Sequence, residues 1–167
     1  MAQADGEIYV YIGDGTYLMN PTEIVTAVQE RLKITIVLSE NHGYQCIRGL
    51  QMARAGKSFG NEFRARDEKT NRLEGDYLKI DFAKNAESMG ARAWNANTPE
   101  ALRKALLEAR SETRPCVIIV ETEKYRSLPS SEVWWDVAAA EVSQDPVTQK
   151  LRADYERDRN QLQRFHY

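Results

Sequence analysis

The stretch EIYVYIGDG, residues 7–15, decides the fold, because a short apolar and aromatic run ends there in an aspartate between two glycines. Such a run predicts a buried strand that closes in a tight turn at Gly13-Asp14-Gly15. A second run, ITIVL at residues 34–38, is continuous and largely β-branched, which is typical of a strand buried on both faces of a parallel sheet. Between them, Asn20-Pro21-Thr22-Glu23 predicts a helix start, and we expect this helix to end near Lys33.

The rest of the chain repeats this alternation of strand and helix. Helices are predicted over about 81–89, 98–109 and 145–163, and strands over 91–94 and 115–120. Residues 53–78 are rich in glycine and charged side chains, and a loop of this length is usually functional or mobile. The alternation predicts an α/β fold of three layers, in which a doubly wound, mostly parallel sheet lies between helices.

The composition of the 167-residue chain excludes several classes of function. Lys and Arg total 23 against 25 Asp and Glu, and a net charge of −2 argues against electrostatic capture of nucleic acid. No apolar run approaches the roughly 20 residues that span a bilayer, and no signal peptide is predicted at the N-terminus. The two cysteines, Cys46 and Cys116, have no CxxC spacing, which favours a reducing, cytoplasmic location.

Two strand ends carry the candidate site. Because ligands bind at the carboxyl ends of parallel strands, Asp14 and the loop at Asn41 to Gly43 are expected to lie side by side. The carboxylate of Asp14, the side-chain oxygen of Asn41 and the carbonyl of Gly43 would supply three oxygens to Mg²⁺, with diphosphate and water completing an octahedron. The amides of Gly15 and Thr16, with the Thr16 hydroxyl, would face phosphate oxygens.

Ordinary structural interpretations compete with this one. An isolated Gly-Asp-Gly is a turn in most proteins, and an Asn-x-Gly is usually a loop. A dinucleotide-binding domain is a weaker alternative, because position 18 is leucine where the Gly-x-Gly-x-x-Gly fingerprint needs its third glycine. The pairing of the two motifs, each at a strand end with a helix between them, favours a ligand site.

Gly13-Asp14-Gly15, followed after a helix and a strand by Glu40-Asn41, resembles the signature of thiamine diphosphate enzymes, in which Gly-Asp-Gly precedes Asn-Asn. Glu40 departs from the first Asn, whereas Asn41 matches the second, which binds the metal in that family. The resemblance implies thiamine diphosphate and Mg²⁺ as cofactors, in the fold of the family's diphosphate domain. It implies cofactor contacts from the two motifs and from the residues that follow the second, namely Gly13, Asp14, Gly15, Thr16, Asn41, Gly43, Tyr44, Cys46 and Ile47, with Asp14, Asn41 and Gly43 as metal ligands.

Further motifs resemble one branch of that family, the acylhydrolases that open trihydroxycyclohexane-1,2-dione in inositol catabolism. These motifs are YLM (17–19), HGYQCI (42–47), LQM (50–52), FGNEFR (59–64), DYL (76–78), IDFAKNA (80–86) and WWDV (134–137). The branch implies a cyclic diketone substrate and hydrolysis of one of its carbon–carbon bonds to give 5-deoxy-D-glucuronate.

The resemblance also implies that this chain is the C-terminal part of a larger enzyme. We expect residues 1–130 to be a partial, N-terminally truncated diphosphate domain, and residues 131–167, with Trp134-Trp135, to pack on the body or on a partner subunit. Family members are dimers or tetramers with cofactor at a subunit interface, so a homo-oligomer is expected. No residue here matches the glutamate that activates the cofactor, so no catalytic residue is assigned and the isolated chain is predicted to be inactive.

Two other functions stay open at this point. One is a separate cofactor-binding subunit of a two-chain thiamine diphosphate oxo-acid decarboxylase. The other is a domain that self-associates and does no chemistry. The role of His42 is open as well, since its ring would serve either as a proton carrier or as a structural element of the loop.

Overall fold

The computed structural model describes residues 6–126 and 138–162 of the chain. The chain divides into two compact units, Met1–Gln45 with Gly60–Lys124 and Cys46–Phe59 with Tyr125–Tyr167. The first unit holds the sheet, and the second is helical in its described part. The expected boundary at residue 130 and the Trp134-Trp135 pair lie outside the described residues and stay predictions.

Four parallel strands form the sheet: β1 (Tyr9–Gly13), β2 (Thr35–Glu40), β3 (Arg92–Asn95) and β4 (Cys116–Glu121), in the order β1-β2-β4-β3. The predicted parallel α/β architecture is confirmed. The central strands β2 and β4 are largely buried, as their continuous apolar runs require. β1 lies at the edge of the sheet, where Tyr11 keeps 74% of its surface exposed, so the expectation of a buried first strand is wrong.

Helices cover both faces of the sheet. The six helices of the described residues are α1 (Asp14–Met19), α2 (Glu23–Gln29), α3 (Gln45–Ala55), α4 (Phe82–Ser88), α5 (Pro99–Ser111) and α6 (Pro146–Leu162). Val117 and Ile119 of β4 pack on one face with residues of α1, α2 and α4. Cys116 and Ile118 point to the other face and pack with α5. Three layers result, as the alternation of strands and helices predicts.

α2 ends at Gln29, earlier than the expected end near Lys33. Arg31 has a φ of +53°, and the N–H of Leu32 donates to the carbonyl of Ala27 at 2.8 Å. This is the Schellman type of helix end, which usually places glycine in the left-handed position. Because an arginine occupies it here, the sequence carries no glycine signal for the stop.

Two helices replace segments that the sequence pattern does not identify as helical. α1 begins directly at Asp14, so Gly13-Asp14-Gly15 is a junction of strand and helix, and the predicted tight turn is wrong. α3 continues to Ala55, three residues into the segment expected to be a loop. The remainder of that segment carries two isolated antiparallel bridges, which pair Gly43 with Glu62 and Arg64 with Tyr77.

α6 is the predicted charged helix of the C-terminal region. It begins after Asp145, whose Oδ2 accepts a hydrogen bond from the N–H of Thr148 at 2.8 Å and so caps the first turn. The same carboxylate lies 2.7 Å from Nζ of Lys57, within the second unit. Among the described residues, no helix combines the length and the apolar character needed to cross a membrane.

Candidate functional site

Asp14 stands at the centre of the site, where β1 ends and α1 begins. β1 and β2 are parallel neighbours with Gly13 opposite Ser39, so their carboxyl ends reach the same edge of the sheet. The Asp14 side chain is fully buried. Its Oδ2 accepts hydrogen bonds from the backbone N–H groups of Asn41 and Gly43, each at 3.1 Å. The two motifs predicted to lie side by side are therefore in direct contact.

The other oxygen of Asp14 faces the side-chain amide of Asn41. One terminal atom of that amide lies 3.2 Å from Asp14 Oδ1 and 2.9 Å from the carbonyl oxygen of Gly43. With the amide nitrogen in this place, Asn41 donates a hydrogen bond to each oxygen. With the amide oxygen there, its separations from Asp14 Oδ1 and from the Gly43 carbonyl oxygen are close to the roughly 3 Å between neighbouring ligands of an octahedral Mg²⁺.

The chemistry of these donors fits a hard divalent cation. A metal at this place would take one carboxylate, one amide and one carbonyl oxygen, which Mg²⁺ accepts and softer metals do not favour. Within residues 6–126 and 138–162, no three His, Cys, Asp or Glu side chains converge to form a different kind of metal site. Metal ligation by Asp14, Asn41 and Gly43 stays a prediction that their geometry makes possible.

The loop after β2 has a backbone that restricts its sequence. His42 has a φ of +61° and Gly43 a φ of +145°. A Cβ atom on Gly43 would lie 2.2 Å from the carbonyl oxygen of Asn61, closer than any carbon tolerates. Glycine at position 43 is therefore required both by its dihedral angle and by its neighbour.

Tyr44 packs against the start of α1. A Cβ atom on Gly15 would lie 2.7 Å from the ring of Tyr44, so the absence of a side chain at Gly15 makes room for the ring. Thr16 is exposed on α1, while a Cβ on Gly13 would meet nothing within 4 Å. Gly15, Thr16 and Tyr44 thus surround the Asp14 junction, and their contacts with a cofactor stay predictions.

The other two expected cofactor contacts, Cys46 and Ile47, lie outside the first unit. Cys46 and Ile47 belong to the second unit, in the first turn of α3, and both are exposed. Their assignment to the cofactor stays a prediction.

Acidic groups beside the loop give the site its electrostatic character. Burial raises the pKa of Glu40, His42 lowers it, and the carboxylates of Asp14 and Glu121 raise it further. Nδ1 of His42 lies 3.9 Å from Glu40, and its Nε2 lies 3.7 Å from Glu121. His42 therefore lies between two carboxylates, and both roles considered for its ring stay hypotheses.

Two neighbours of the site are missed by sequence reasoning. Asn61 is buried, and its carbonyl accepts a hydrogen bond from the N–H of Tyr44 at 2.7 Å. The ring of Tyr77 lies 5.0 Å from the ring of His42, centroid to centroid. Both residues stand in motifs that the sequence singles out, 59–64 and 76–78, but no local pattern links segments so distant in the chain to the loop.

Comparison with known proteins gives matches over most of the chain. A protein-family model described as "Thiamine pyrophosphate enzyme, C-terminal TPP binding domain" matches residues 1–120. A protein of Bacillus cereus named 3D-(3,5/4)-trihydroxycyclohexane-1,2-dione hydrolase 1 is 38% identical over 98% of this chain. A 3D-(3,5/4)-trihydroxycyclohexane-1,2-dione hydrolase of Bacillus thuringiensis is 37% identical over the same share. The chain spans about a quarter of the length of these relatives, 25% in both.

Solved structures support the fold. A thiamine diphosphate-dependent 4-hydroxybenzoylformate decarboxylase of Rhodococcus jostii RHA1 superposes with a TM-score of 0.58 at 26% identity, over 71% of this chain and 20% of that one. The benzoylformate decarboxylase of Polynucleobacter necessarius gives the same TM-score at 21% identity, over 72% of this chain and 20% of that one, and shows likeness of fold alone.

Proposed function

The chain belongs to the thiamine pyrophosphate enzyme family, as its C-terminal TPP-binding domain, and from this premise we propose that it is part of a carbon–carbon bond hydrolase. The proposed substrate of the whole enzyme is a trihydroxycyclohexane-1,2-dione, opened to 5-deoxy-D-glucuronate in inositol catabolism. Identity of 38% to a hydrolase named for that substrate, over nearly the whole chain, supports this choice.

The proposal rests on the direct contacts among Asp14, Asn41 and Gly43. We assign these residues to a Mg²⁺ ion that binds the diphosphate of the cofactor. The distances of 3.2 and 2.9 Å around the Asn41 amide suit this role, provided that its oxygen turns towards Asp14 and Gly43. Turning the amide exchanges two internal hydrogen bonds for ligation and leaves the amide nitrogen facing donors, so this orientation needs the metal to favour it.

Each of the remaining residues near Asp14 has a distinct proposed task. Thiamine diphosphate, when bound, supplies an electron sink for cleavage of the bond beside the substrate carbonyl. The N–H of Thr16 and the Thr16 hydroxyl bind phosphate oxygens, while the N–H of Gly15, expected to do the same, donates to Asp14 Oδ1 at 2.7 Å. The Tyr44 ring, packed against Gly15, would line the diphosphate or thiazolium end of the cofactor. This chain thus binds and orients the cofactor, and we assign no catalytic residue to it.

The whole enzyme contains more than this chain in our proposal. N-terminal domains supply the glutamate that activates the cofactor, and a second subunit completes the site in a homo-oligomer. We place the enzyme in the cytoplasm, where the free thiols of Cys46 and Cys116 stay reduced. The 167-residue chain alone is proposed to be inactive.

Turnover by the longer protein that carries this domain tests the proposal. We expect it to hydrolyse the cyclic diketone only with thiamine diphosphate and Mg²⁺, and Asp14→Ala to remove that activity. Glu87→Ala, which changes an exposed carboxylate on α4, is the control and should leave turnover unchanged. Decarboxylation of 2-oxo acids without hydrolysis of the diketone would contradict the proposal in favour of an oxo-acid decarboxylase.

A further inference from the structure

We propose that Tyr77 is a positioning residue, which holds the metal-binding loop 41–44 in shape through a segment distant in the chain, residues 60–78. This segment is called the clamp below. The proposal deepens the proposed function and rests on it for the identity of the ligand. The clamp contains the motifs FGNEFR from Gly60 onwards and DYL, which the cofactor site by itself leaves unexplained.

Backbone hydrogen bonds join the clamp to the loop. The N–H of Tyr44 donates to the carbonyl of Asn61 at 2.7 Å, and the N–H of Phe63 donates to the carbonyl of His42 at 3.0 Å. Gly43 and Glu62 form an antiparallel bridge between these two bonds. The loop is thereby paired as a short strand at the place where Gly43 presents its carbonyl to Asn41.

Within the clamp, residues 61–65 pair with residues 76–78. The N–H of Leu78 donates to the carbonyl of Phe63 at 2.8 Å, and the N–H of Ala65 donates to that of Asp76 at 2.9 Å. Residues 42–44, 61–65 and 76–78 therefore form three adjacent antiparallel segments. The loop occupies one edge of this arrangement, and the other edge carries Tyr77.

The side chain of Tyr77 connects the two edges. Its hydroxyl donates to Oε1 of Glu62 at 2.6 Å, and its ring lies 5.0 Å from that of His42. The guanidinium of Arg64 and the ammonium of Lys124 lie 4.4 and 5.2 Å from the ring centroid. One aromatic ring thus contacts the loop, the clamp and Lys124, which follows β4, and cations near its face add to the attraction.

This arrangement has a consequence for binding. His42 and Gly43 both have positive φ angles, and a loop in such a conformation needs neighbours that keep it there. A loop already held in the ligating shape loses less conformational freedom when the ligand arrives, so affinity rises without a new contact. Tyr77 therefore strengthens metal and diphosphate binding although it touches neither.

Amide hydrogen exchange without cofactor, on the full chain, tests the positioning directly. In Tyr77→Ala, which loses both the ring contacts and the hydroxyl hydrogen bond, we expect exchange at the N–H groups of Tyr44 and Phe63 to accelerate by at least about tenfold. Tyr77→Phe keeps the ring and loses the hydroxyl, so it should show a smaller acceleration. The N–H of Ala96, which directly follows β3 and donates to the carbonyl of Ile119 in β4 at 2.8 Å, reports unfolding of the sheet and should keep its rate.

Calorimetric titration with Mg²⁺ and thiamine diphosphate tests the link to the site. The dissociation constant should rise by at least about tenfold in Tyr77→Ala, which loses the ring and the hydroxyl, and by less in Tyr77→Phe, which loses the hydroxyl alone. Tyr11→Ala, which removes an exposed tyrosine from β1 of the same unit, is the matched control and should bind as wild type does.

The two measurements separate failure of the positioning role from failure of the proposed function. Unchanged exchange at Tyr44 in Tyr77→Ala, or equal acceleration at Ala96, overturns the positioning role. Accelerated exchange with an unchanged dissociation constant overturns the coupling to the site. The predicted exchange pattern, together with no uptake of thiamine diphosphate by the longer protein that carries this domain, supports the clamp and contradicts the proposed ligand.

Discussion

The two units of the chain differ in how deeply their side chains are buried. In the first unit, β4 buries four successive residues and Asp14 is fully enclosed by backbone donors. In the second, α3 has no buried residue, and α6 carries ion pairs such as Lys150–Asp154 on its surface. A position fixed by packing on every side suits a site that needs precise geometry. Matched substitutions in the two units test this difference.

Truncation of a core leucine should have the largest effect. Leu38 of β2 is completely buried in the cluster that joins the sheet to α1, α2 and α4. We expect Leu38→Ala to lower the free energy of unfolding by about 2–5 kcal/mol, through lost burial and the cavity left behind. Urea denaturation measures the change.

The same substitution in the second unit is the control. Leu50 of α3 is 60% exposed, so Leu50→Ala should change the free energy of unfolding by less than about 1 kcal/mol. Equal losses from both variants would mean that the two units are not packed as differently as described.

Alanine substitutions at two glycines should change the free energy of unfolding in opposite directions. Gly43→Ala places a methyl group 2.2 Å from the carbonyl of Asn61 at a φ of +145°, and we expect a loss of about 1–3 kcal/mol. Gly49 lies inside α3, and a Cβ there meets nothing within 4 Å, so Gly49→Ala should stabilise by about 0.5–1 kcal/mol. Thermal denaturation of both variants checks the signs, and stabilisation by Gly43→Ala would refute the description of the loop.

The smallest predicted effect is the pH dependence of stability that comes from Asp145 in the second unit. Hydrogen bonds from Lys57 and Thr148 lower the pKa of Asp145 to about 2, from an ordinary value of 3.8. A depressed pKa stabilises the folded state at pH values above the ordinary one, and this contribution is lost as the pH falls from about 4 to 2. Because Asp145 keeps about a third of its side chain exposed to solvent, the shift in melting temperature should be small.

Substitutions of Asp145 and of Lys57 test whether their ion pair causes this pH dependence. Asp145→Asn should flatten the melting-temperature profile between about pH 4 and 2, and Lys57→Gln, which removes the largest contribution, should flatten it in part. A profile that is unchanged in Asp145→Asn would show that the carboxylate does not titrate in this window.

Much of the first unit follows from the sequence because its determinants are local. Continuous β-branched runs in β2 and β4 predict buried parallel strands, and parallel neighbours place their carboxyl ends together. That reasoning is sufficient to bring Asp14 next to Asn41 and Gly43. It fails at Gly13-Asp14-Gly15, since a glycine-rich turn and the first residues of a helix have similar composition.

The remaining differences depend on contacts between segments distant in sequence. The exposure of Tyr11 depends on what lies beside β1 and not on the strand's own pattern. The pairing of residues 61–65 with the loop and with 76–78 has no local signal either. The prediction of an irregular segment at 53–78 is therefore right for most of its secondary structure and silent about its contacts with the site.

The most direct test of the account measures thiamine diphosphate binding by calorimetry in the presence of Mg²⁺, for wild type, Asp14→Ala and Asp145→Ala. The central claim is that the carboxyl ends of β1 and β2 hold the metal and the diphosphate. It predicts that Asp14→Ala weakens binding at least about a hundredfold, as expected for the loss of a charged metal ligand, while Asp145→Ala binds as wild type does. Equal affinity of wild type and Asp14→Ala would contradict the claim.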